Sequence, residues 1–495
     1  MRTLLLHIDG KDVAAEDAGT FTVSNPYDHT TLYEVAHATP GDVDLAVRTA
    51  REAFADGRWA DQSVRERARV LSRAASELAK NIDDLARLET LQTGRPVREM
   101  RSQLARLPEW FEHFGALVQV EEGSIPNFGP GRINLVRRRP LGVAALVTPW
   151  NHPLLITVKK LSVALAAGNS IVVKPSEAAP AGPLLLVTLL ENAGVPAGVI
   201  NVIPGLGPTT GKALVEHAGI DRLDITGGTP TGRDAAAAAA RNLVPVSAEL
   251  GGKAPVIVLE DVDPDRAVAG ALFASFIATG QTCVQGARLL VHRDVVAAVE
   301  ERLVERVRAL RLGDPLDTAT QIGPLVSEQQ RARVAEAVDR AVAQGARLAC
   351  GGRIPTEPGH GWFYEPTVLC DVTPEMDVWY EEIFGPVTVV RSFADDAEAV
   401  EQANDSPFGL AASIWTRDTA RALRLADRLD IGIVWINDHH RVDPASPWGG
   451  TKDSGVGTEN SRDAYLSYTR PYSVIVNVSD DEYDWFATSA QLRYS

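Results

Sequence analysis

The sequence predicts an α/β protein built on parallel sheets, and three observations carry that expectation. Short runs rich in valine and isoleucine alternate with helical stretches from Leu141 onward, a spacing that makes βαβ units and a parallel sheet. The same texture returns in a second stretch beginning near Ala254. The chain of 495 residues is 45% hydrophobic, 23% charged and only 6% aromatic, an ordinary balance for such a protein. That length provides for roughly two to four folding units with large cores.

Residues 1–40 read as short strands and turns, with Ser24-Asn25-Pro26 as a turn. From Pro40 to about Leu117 the apolar residues recur at intervals of three and four, the helical pattern, and Thr93-Gly94-Arg95-Pro96 interrupts it. Arg73, Lys80 and Arg87 fall on its solvated face. Residues 121–138 are rich in Gly and Pro and then turn basic and β-like, which suggests a hairpin or excursion. The strands expected next are 141–147, 170–174, 198–203 and 222–226, separated by helices that include 183–193 and 207–218. The second stretch places strands at 254–259, 386–390, 412–415 and 431–436, and β texture returns at 472–478 before an acidic, aromatic tail.

A net charge of −16 argues against a nucleic-acid or anionic-membrane partner. The three cysteines, Cys283, Cys350 and Cys370, form no CxxC and no His/Cys cluster, so neither a disulfide framework nor structural zinc is expected. No stretch approaches the roughly 20 apolar residues of a bilayer span, and the first residues carry too short an apolar run for a signal peptide. The expected location is cytoplasmic.

Candidate chemistry falls where predicted strands end, which is where α/β sheets bind ligands. In Thr148-Pro149-Trp150-Asn151-His152-Pro153, two prolines fix the backbone around an amide donor suited to a developing oxyanion. Lys174 and Glu177 follow a strand at a spacing that suits the hydroxyls of a ribose. Pro204-Gly205-Leu206-Gly207-Pro-Thr-Thr-Gly211 nearly matches the dinucleotide glycine fingerprint, but its last glycine comes one residue late. Thr226-Gly227-Gly228 joins a strand to a helix and offers free N–H groups to a pyrophosphate. Glu249-Leu250-Gly251-Gly252-Lys253 sets a carboxylate beside a cleft, able to activate water. Gly280-Gln281-Thr282-Cys283 leaves a thiol at the tip of a turn; a free cysteine is more often a small buried hydrophobe, yet a thiolate there would be a nucleophile.

Taken together and in this order, these elements resemble the aldehyde dehydrogenase superfamily over nearly the whole chain, from Asn25-Pro26 to about Val476. Glu249–Lys253 and Gly280–Cys283 are the most specific signatures, and Glu381-Glu382-Ile383-Phe384-Gly385-Pro386 and Pro447-Trp448-Gly449-Gly450 add to them. The resemblance implies an NAD(P)-dependent, hydrolytic enzyme of the non-CoA-acylating type. Cys283 would form the thiohemiacetal and then the thioester, Asn151 and the Cys283 N–H would stabilise the oxyanion, and Glu249 would activate the hydrolytic water. Lys160 and Glu459 match positions associated with proton relay or site organisation. The cofactor would be NAD, with NADP possible, held by Thr148, Pro149, Trp150, Lys174, Glu177, Gly207, Gly211, Thr226, Gly227, Gly228, Leu250, Glu382 and Phe384.

The implied fold has a cofactor domain of residues 1–117 and 138–251 and a catalytic domain of residues 252–465. Residues 118–137 and 466–495 would form an oligomerisation element with a tail, giving a homodimer or homotetramer. His152, Ile156, Lys159, His440, Val442 and Trp448 would line the substrate funnel, with Ile277, Phe111 and Phe114 adding to its wall. Trp448 resembles enzymes acting on betaine or amino aldehydes. Lys159, His439 and His440 oppose a permanent cation, so an aromatic or medium-sized apolar aldehyde is expected. Three departures stand out: Gly228 for a serine, Thr458 for an arginine beside Glu459, and Lys159 for an aromatic residue. A betaine or amino-aldehyde dehydrogenase, a CoA-acylating semialdehyde dehydrogenase, a thiol esterase independent of NAD and a non-catalytic binding protein on the same fold remain as alternatives. The tail, Tyr483 to Ser495, is expected near a substrate entrance because of Trp485, Phe486 and Tyr494.

Overall fold

A computed structural model describes residues 3–480 and Phe486. The helical stretch of the first hundred residues starts from well-made caps. Thr39 and Asp42 form a reciprocal capping box at Pro40–Ala55, and Ser63 and Glu66 do the same at Val64–Lys80. Helix Val64–Lys80 packs against Pro108–Val120 and buries Trp110, Phe111 and Phe114 in one core. Phe111 and Phe114 are fully buried in that core and are not among the residues lining the two cavities described below, where the neighbouring Trp110 is.

One sheet has eight strands in the order Gly455–Val456, Val246–Glu249, Arg222–Thr226, Val143–Val147, Ser170–Lys174, Ile200–Val202, Leu6–Ile8 and Lys11–Val13. Its five central strands are parallel, which explains their unbroken apolar runs, since helices cover both faces. The chain runs outward from Val143–Val147 through Ser170–Lys174 to Ile200–Val202, then returns to lay Arg222–Thr226 on the other side of Val143–Val147. At that reversal the two outgoing loops diverge and a crevice opens at the carboxyl ends of the strands. Gly455–Val456 joins the far edge antiparallel, with Gly455 opposite Glu249.

The second sheet has seven strands in the order Arg347–Cys350, Thr367–Cys370, Val387–Phe393, Arg288–His292, Pro255–Val258, Ala411–Trp415 and Ile433–Ile436, parallel except at the first pair. The 121–138 excursion leads into strand Arg132–Pro140, which pairs along its length with Thr469–Asn477 in an antiparallel ribbon.

Two local expectations change. The segment 207–218 is a five-residue π-helical turn, Gly207–Gly211, followed by the short helix Lys212–Val215, and not one continuous α-helix. The helix before Cys283, Pro264–Phe276, ends three residues earlier than its apolar run suggests, because Ala278 and Thr279 take left-handed backbone angles. Trp485 and Tyr494 lie outside the described residues. Among the described residues no helix is long and apolar enough to cross a membrane, and no group of three His, Cys, Asp or Glu side chains is placed to hold a metal ion.

Candidate active site

Cys283 stands on the loop between helix Pro264–Phe276 and strand Arg288–His292. Three consecutive residues of that loop have positive φ: Ala278 (55°), Thr279 (56°) and Gly280 (72°). For the two that carry a Cβ, such angles cost about 1–2 kcal/mol each, so the surroundings must hold them. They do so through long-range hydrogen bonds. The Gln285 amide donates to Ser275 O (2.9 Å) and Gly385 O (2.7 Å), Thr279 Oγ1 donates to Gly323 O (3.1 Å), and the Ala278 N–H donates to Glu99 Oε2 (3.2 Å). Gly280 must be glycine twice over, since a Cβ there would lie 2.0 Å from Gly385 O.

The Glu249–Lys253 segment packs directly on this loop. A Cβ at Gly252 would lie 2.1 Å from the Cys283 carbonyl, and one at Gly251 would lie 2.3 Å from Glu382 Oε2, so the glycines permit both approaches. The Gly252 N–H donates to Glu382 Oε1 at 2.8 Å. Glu249 ends its strand with the carboxyl buried and neither oxygen hydrogen-bonded. Burial, followed by the negative charge of Glu459, holds it well above the usual carboxylate range; Lys159 and Lys160 act the other way and Asp224 adds to the rise. Burial, then Glu382 and Glu249, pushes the Cys283 thiol up to about 12, although the residue itself is only half-buried. Burial likewise raises Glu382 to about 7.

The loop after strand Val143–Val147 approaches from the other sheet. Asn151 donates its side-chain amide to Gln281 O at 2.9 Å, which fixes its direction beside the Cys283 loop. Arg95 locks the same loop, donating to Asn151 O (3.0 Å) and to His152 Nδ1 (2.7 Å) while its Nε–H holds Glu99 (2.8 Å). Burial and then the Arg95 charge push the His152 pKa well down, so the ring is neutral. With Nδ1 accepting, its proton sits on Nε2, toward Thr282 Oγ1 at 3.3 Å. Glu99 thus ties Arg95 to the strained residue Ala278. Neither Arg95 nor Glu99 was foreseen: in the sequence they look like part of a helix break, and their role depends on contacts across the fold.

Behind Glu249 lies a buried charge cluster. Lys160 contacts both Asp224 and Glu459, Lys159 Nζ is 2.5 Å from Glu459 Oε2, and Tyr468 donates to Asp224 at 2.6 Å. Burial opposes the Glu459 charge, but the two lysines outweigh it and hold the carboxyl down at about 2. Lys159 also sits over the Trp448 ring, 4.6 Å from its centroid. Neither Lys159 nor Trp448 is among the residues lining the two cavities described below; the Lys159 ammonium turns to Glu459, which a two-residue bridge aligns with Trp448. Lys159 thereby supplies Glu459 with a cationic partner where Thr458 cannot. His439, with Nε2 2.7 Å from Val284 O, is a satisfied structural residue, and burial lowers its pKa to about 4.

Two cavities approach this point. The first, of about 560 Å³, is lined by Pro149, Trp150, Asn151, His152, Ile156, Thr226, Gly227, Gly228, Leu250, Cys283, Glu382 and Phe384. Trp150 and Phe384 meet edge to face across it, with centroids 5.4 Å apart. Added Cβ atoms at Gly207, Gly227 and Gly228 would meet nothing within 4 Å, so these backbones border open space, and the buried hydroxyls of Thr148 and Thr226 have no partner. Lys174 Nζ lies 3.2 Å from Glu177 Oε2, and a Cβ at Gly211 would lie 3.9 Å from Lys174 Cε, so these three stand together. Open glycine backbones, partnerless hydroxyls and a carboxylate at the far end fit a dinucleotide. The second cavity, of about 410 Å³, reaches Leu155, Ile277, His440 and Val442. The rings of His440 and His152, 5.6 Å apart, stand between the two.

A parallel sheet with a nucleotide-type crevice, facing a second α/β sheet across a loop cysteine, defines the aldehyde dehydrogenase class of fold. The chain belongs to the Aldehyde dehydrogenase family, whose sequence profile matches residues 13–474. It is 41% identical to betaine aldehyde dehydrogenase 1 of Rhizobium meliloti over 480 residues, 96% of this chain and 97% of the relative. The crystal structure of PnpE from Pseudomonas sp. WBC-3, also solved with nicotinamide adenine dinucleotide, superposes with a TM-score of 0.95 at 40% identity, covering 98% of this chain and 100% of that one. Betaine aldehyde dehydrogenase from Staphylococcus aureus, crystallised with NAD+, gives 0.96 at 34% identity, covering 98% and 97%.

Proposed function

We propose that the chain oxidises an aldehyde to its carboxylic acid with NAD+, through an acyl intermediate on Cys283. The observation that carries this reading is the buried, partnerless Glu249 carboxyl on a segment packed against the Cys283 loop, where a nucleotide-type crevice meets a second cavity. The Cys283 sulfur gives its proton to water and attacks the carbonyl carbon. The oxygen becomes an oxyanion and accepts from the second amide hydrogen of Asn151, whose first is committed to Gln281, and from the Cys283 N–H. Bound NAD+ would supply the acceptor for the hydride that the former carbonyl carbon loses as the thioester forms. Glu249 then takes a proton from water as that water attacks the thioester, and the acid leaves with Cys283 regenerated.

Trp150, Thr226, Gly227, Gly228, Leu250, Glu382 and Phe384 would hold the cofactor, with Thr148, Lys174, Glu177, Gly207 and Gly211 toward its adenosine end. The Glu177 carboxylate would accept from a ribose 2′-hydroxyl and repel a 2′-phosphate, which favours NAD over NADP. Lys160 and Glu459 act as a buried relay and support behind Glu249.

The apolar wall of the second cavity, with Trp110, Leu155, Phe273 and Ile277, supports an aromatic or medium-sized apolar aldehyde body. A betaine-type aldehyde is the second reading, favoured by the names of the relatives. Against it, the Lys159 ammonium already occupies a face of Trp448. A homodimer or homotetramer is supported by the exposed Ile133, Ile475 and Val478 along the antiparallel ribbon, and a cytoplasmic location by the free cysteines.

A panel of aldehydes with NAD+ and NADP+, read at 340 nm with identification of the product, tests the reading. Free acid without added CoA is expected. NADH formation that requires CoA and yields no free acid would overturn it, as would ester hydrolysis with no aldehyde oxidation.

A further inference from the structure

The second cavity carries a charge pattern that neither the apolar wall nor the fold requires. The chain as a whole is acidic, with 49 Lys and Arg against 65 Asp and Glu. Yet the charged side chains lining this cavity are Arg95, Arg98, Arg106 and Arg441 against Glu99 alone. Three of the four are committed. Arg95 is buried on Glu99, Asn151 and His152. Arg106 is forked onto Glu109 and donates to Val442 O at 2.7 Å. Arg441 meets Asp438 at 2.9 Å. Arg98, exposed on helix Val97–Leu104, has no carboxylate within ion-pair distance among the described residues, so its five donors face the cavity mouth uncommitted.

The inner end differs. Leu155, Phe273 and Ile277 are apolar, burial holds His440 down at about 3, and the Arg95 charge there is buried and committed to Glu99, so that end offers no free charge. The gradient runs from neutral beside His440 to cationic outside, which suits a molecule with an uncharged reacting end and an anionic far end.

We propose that the aldehyde carries a carboxylate distal to its carbonyl, bound by the Arg98 guanidinium at the mouth of the second cavity, with Arg106 and Arg441 adding field. This rests on the aldehyde-oxidising reading of Cys283. A planar guanidinium fork matches a carboxylate bidentately, and a cleft lined by one sign of charge gathers ligands of the other. A trimethylammonium aldehyde meets like charge at the same place.

The test compares 4-carboxybenzaldehyde with methyl 4-formylbenzoate, which share the ring and the reacting group and differ in charge. For the unaltered chain the acid has a kcat/KM about tenfold above the ester, carried by KM, and salt erodes the difference. Arg98→Glu inverts the preference and Arg98→Lys keeps most of it. Binding to Cys283→Ala, measured by calorimetry without turnover, shows the same order. Equal kcat/KM for the two compounds in the unaltered chain would overturn the proposal, as would an Arg98→Glu variant that loses both by one factor. If neither compound is oxidised, oxidation of hexanal overturns the anionic subsite alone, while no oxidation of any aldehyde overturns the reading beneath it.

Discussion

Replacing Lys159 tests the charge balance around the proposed base. Its ammonium lies 2.5 Å from Glu459 Oε2 and 4.6 Å from the Trp448 ring centroid, on a side chain only 2% exposed. Lys159→Met keeps much of the side chain's length and its contact with Trp448 while removing the charge. Glu459 is then left with Lys160. Losing one partner of a buried pair costs about 3–5 kcal/mol, and because Lys160 remains, the lower end is expected in stability. The larger interest is Glu249. Burial, Glu459 and Asp224 raise its pKa, while Lys159 and Lys160 lower it. Removing Lys159 therefore moves Glu249 further up.

A base works only when ionised, so the rising limb of kcat against pH moves higher. Below the limb kcat falls, and raising the pH restores it. Lys159 also opposes the rise of the Cys283 thiol, so kcat/KM moves in the same direction. The assay is NADH formation from pH 6 to 10 for the unaltered chain, Lys159→Met and Lys159→Arg, the last of which keeps the charge and should keep the limb. A Lys159→Met profile that superimposes on the original, or moves to lower pH, refutes this picture of the base.

Three further outcomes follow from the packing. Gly252→Ala places a methyl group 2.1 Å from the Cys283 carbonyl, so the loop must move; kcat should fall at least about 100-fold in NADH assays, with about 1–3 kcal/mol lost in denaturant titration. Arg95→Lys keeps the charge but not the fork that holds Glu99, Asn151 and His152 together, so kcat should fall about tenfold while thermal melting stays cooperative. Glu89 is fully buried, and burial raises its carboxyl to about 8. The native state then binds that proton more tightly than the unfolded chain, so stability is full below the ordinary carboxylate range and is lost as pH rises to about 8, by at most roughly 5 kcal/mol. Glu89→Gln should flatten stability against pH in urea titrations between pH 5 and 9.

Much of the fold was legible because buried parallel strands must be apolar throughout, and runs such as Ser170–Lys174 announce themselves. Glu249-Leu-Gly-Gly was legible for a steric reason now visible: the two glycines let the backbone touch Cys283 and Glu382. The side-chain directions were not legible. The family resemblance puts Lys159 on the funnel, but helix Pro153–Ala167 is buried on every side, and Glu459, far along the chain, decides where the ammonium goes. Phe111 and Phe114 likewise find their core neighbours on other elements, which their local pattern does not announce. Arg95 carries no local signature at all. The left-handed pair Ala278 and Thr279 defies local propensity, since Gln285, Glu99 and Gly323 impose it from elsewhere.

The most direct test of the Cys283–Glu249 chemistry is a single-turnover measurement on Glu249→Gln. Mixed with aldehyde and NAD+, this variant should release about one NADH per active subunit in a burst and then stall. Mass spectrometry should find the acyl group on Cys283. Steady turnover at the original rate, or an acyl group on Cys350 or Cys370, would contradict the assignment of nucleophile and base.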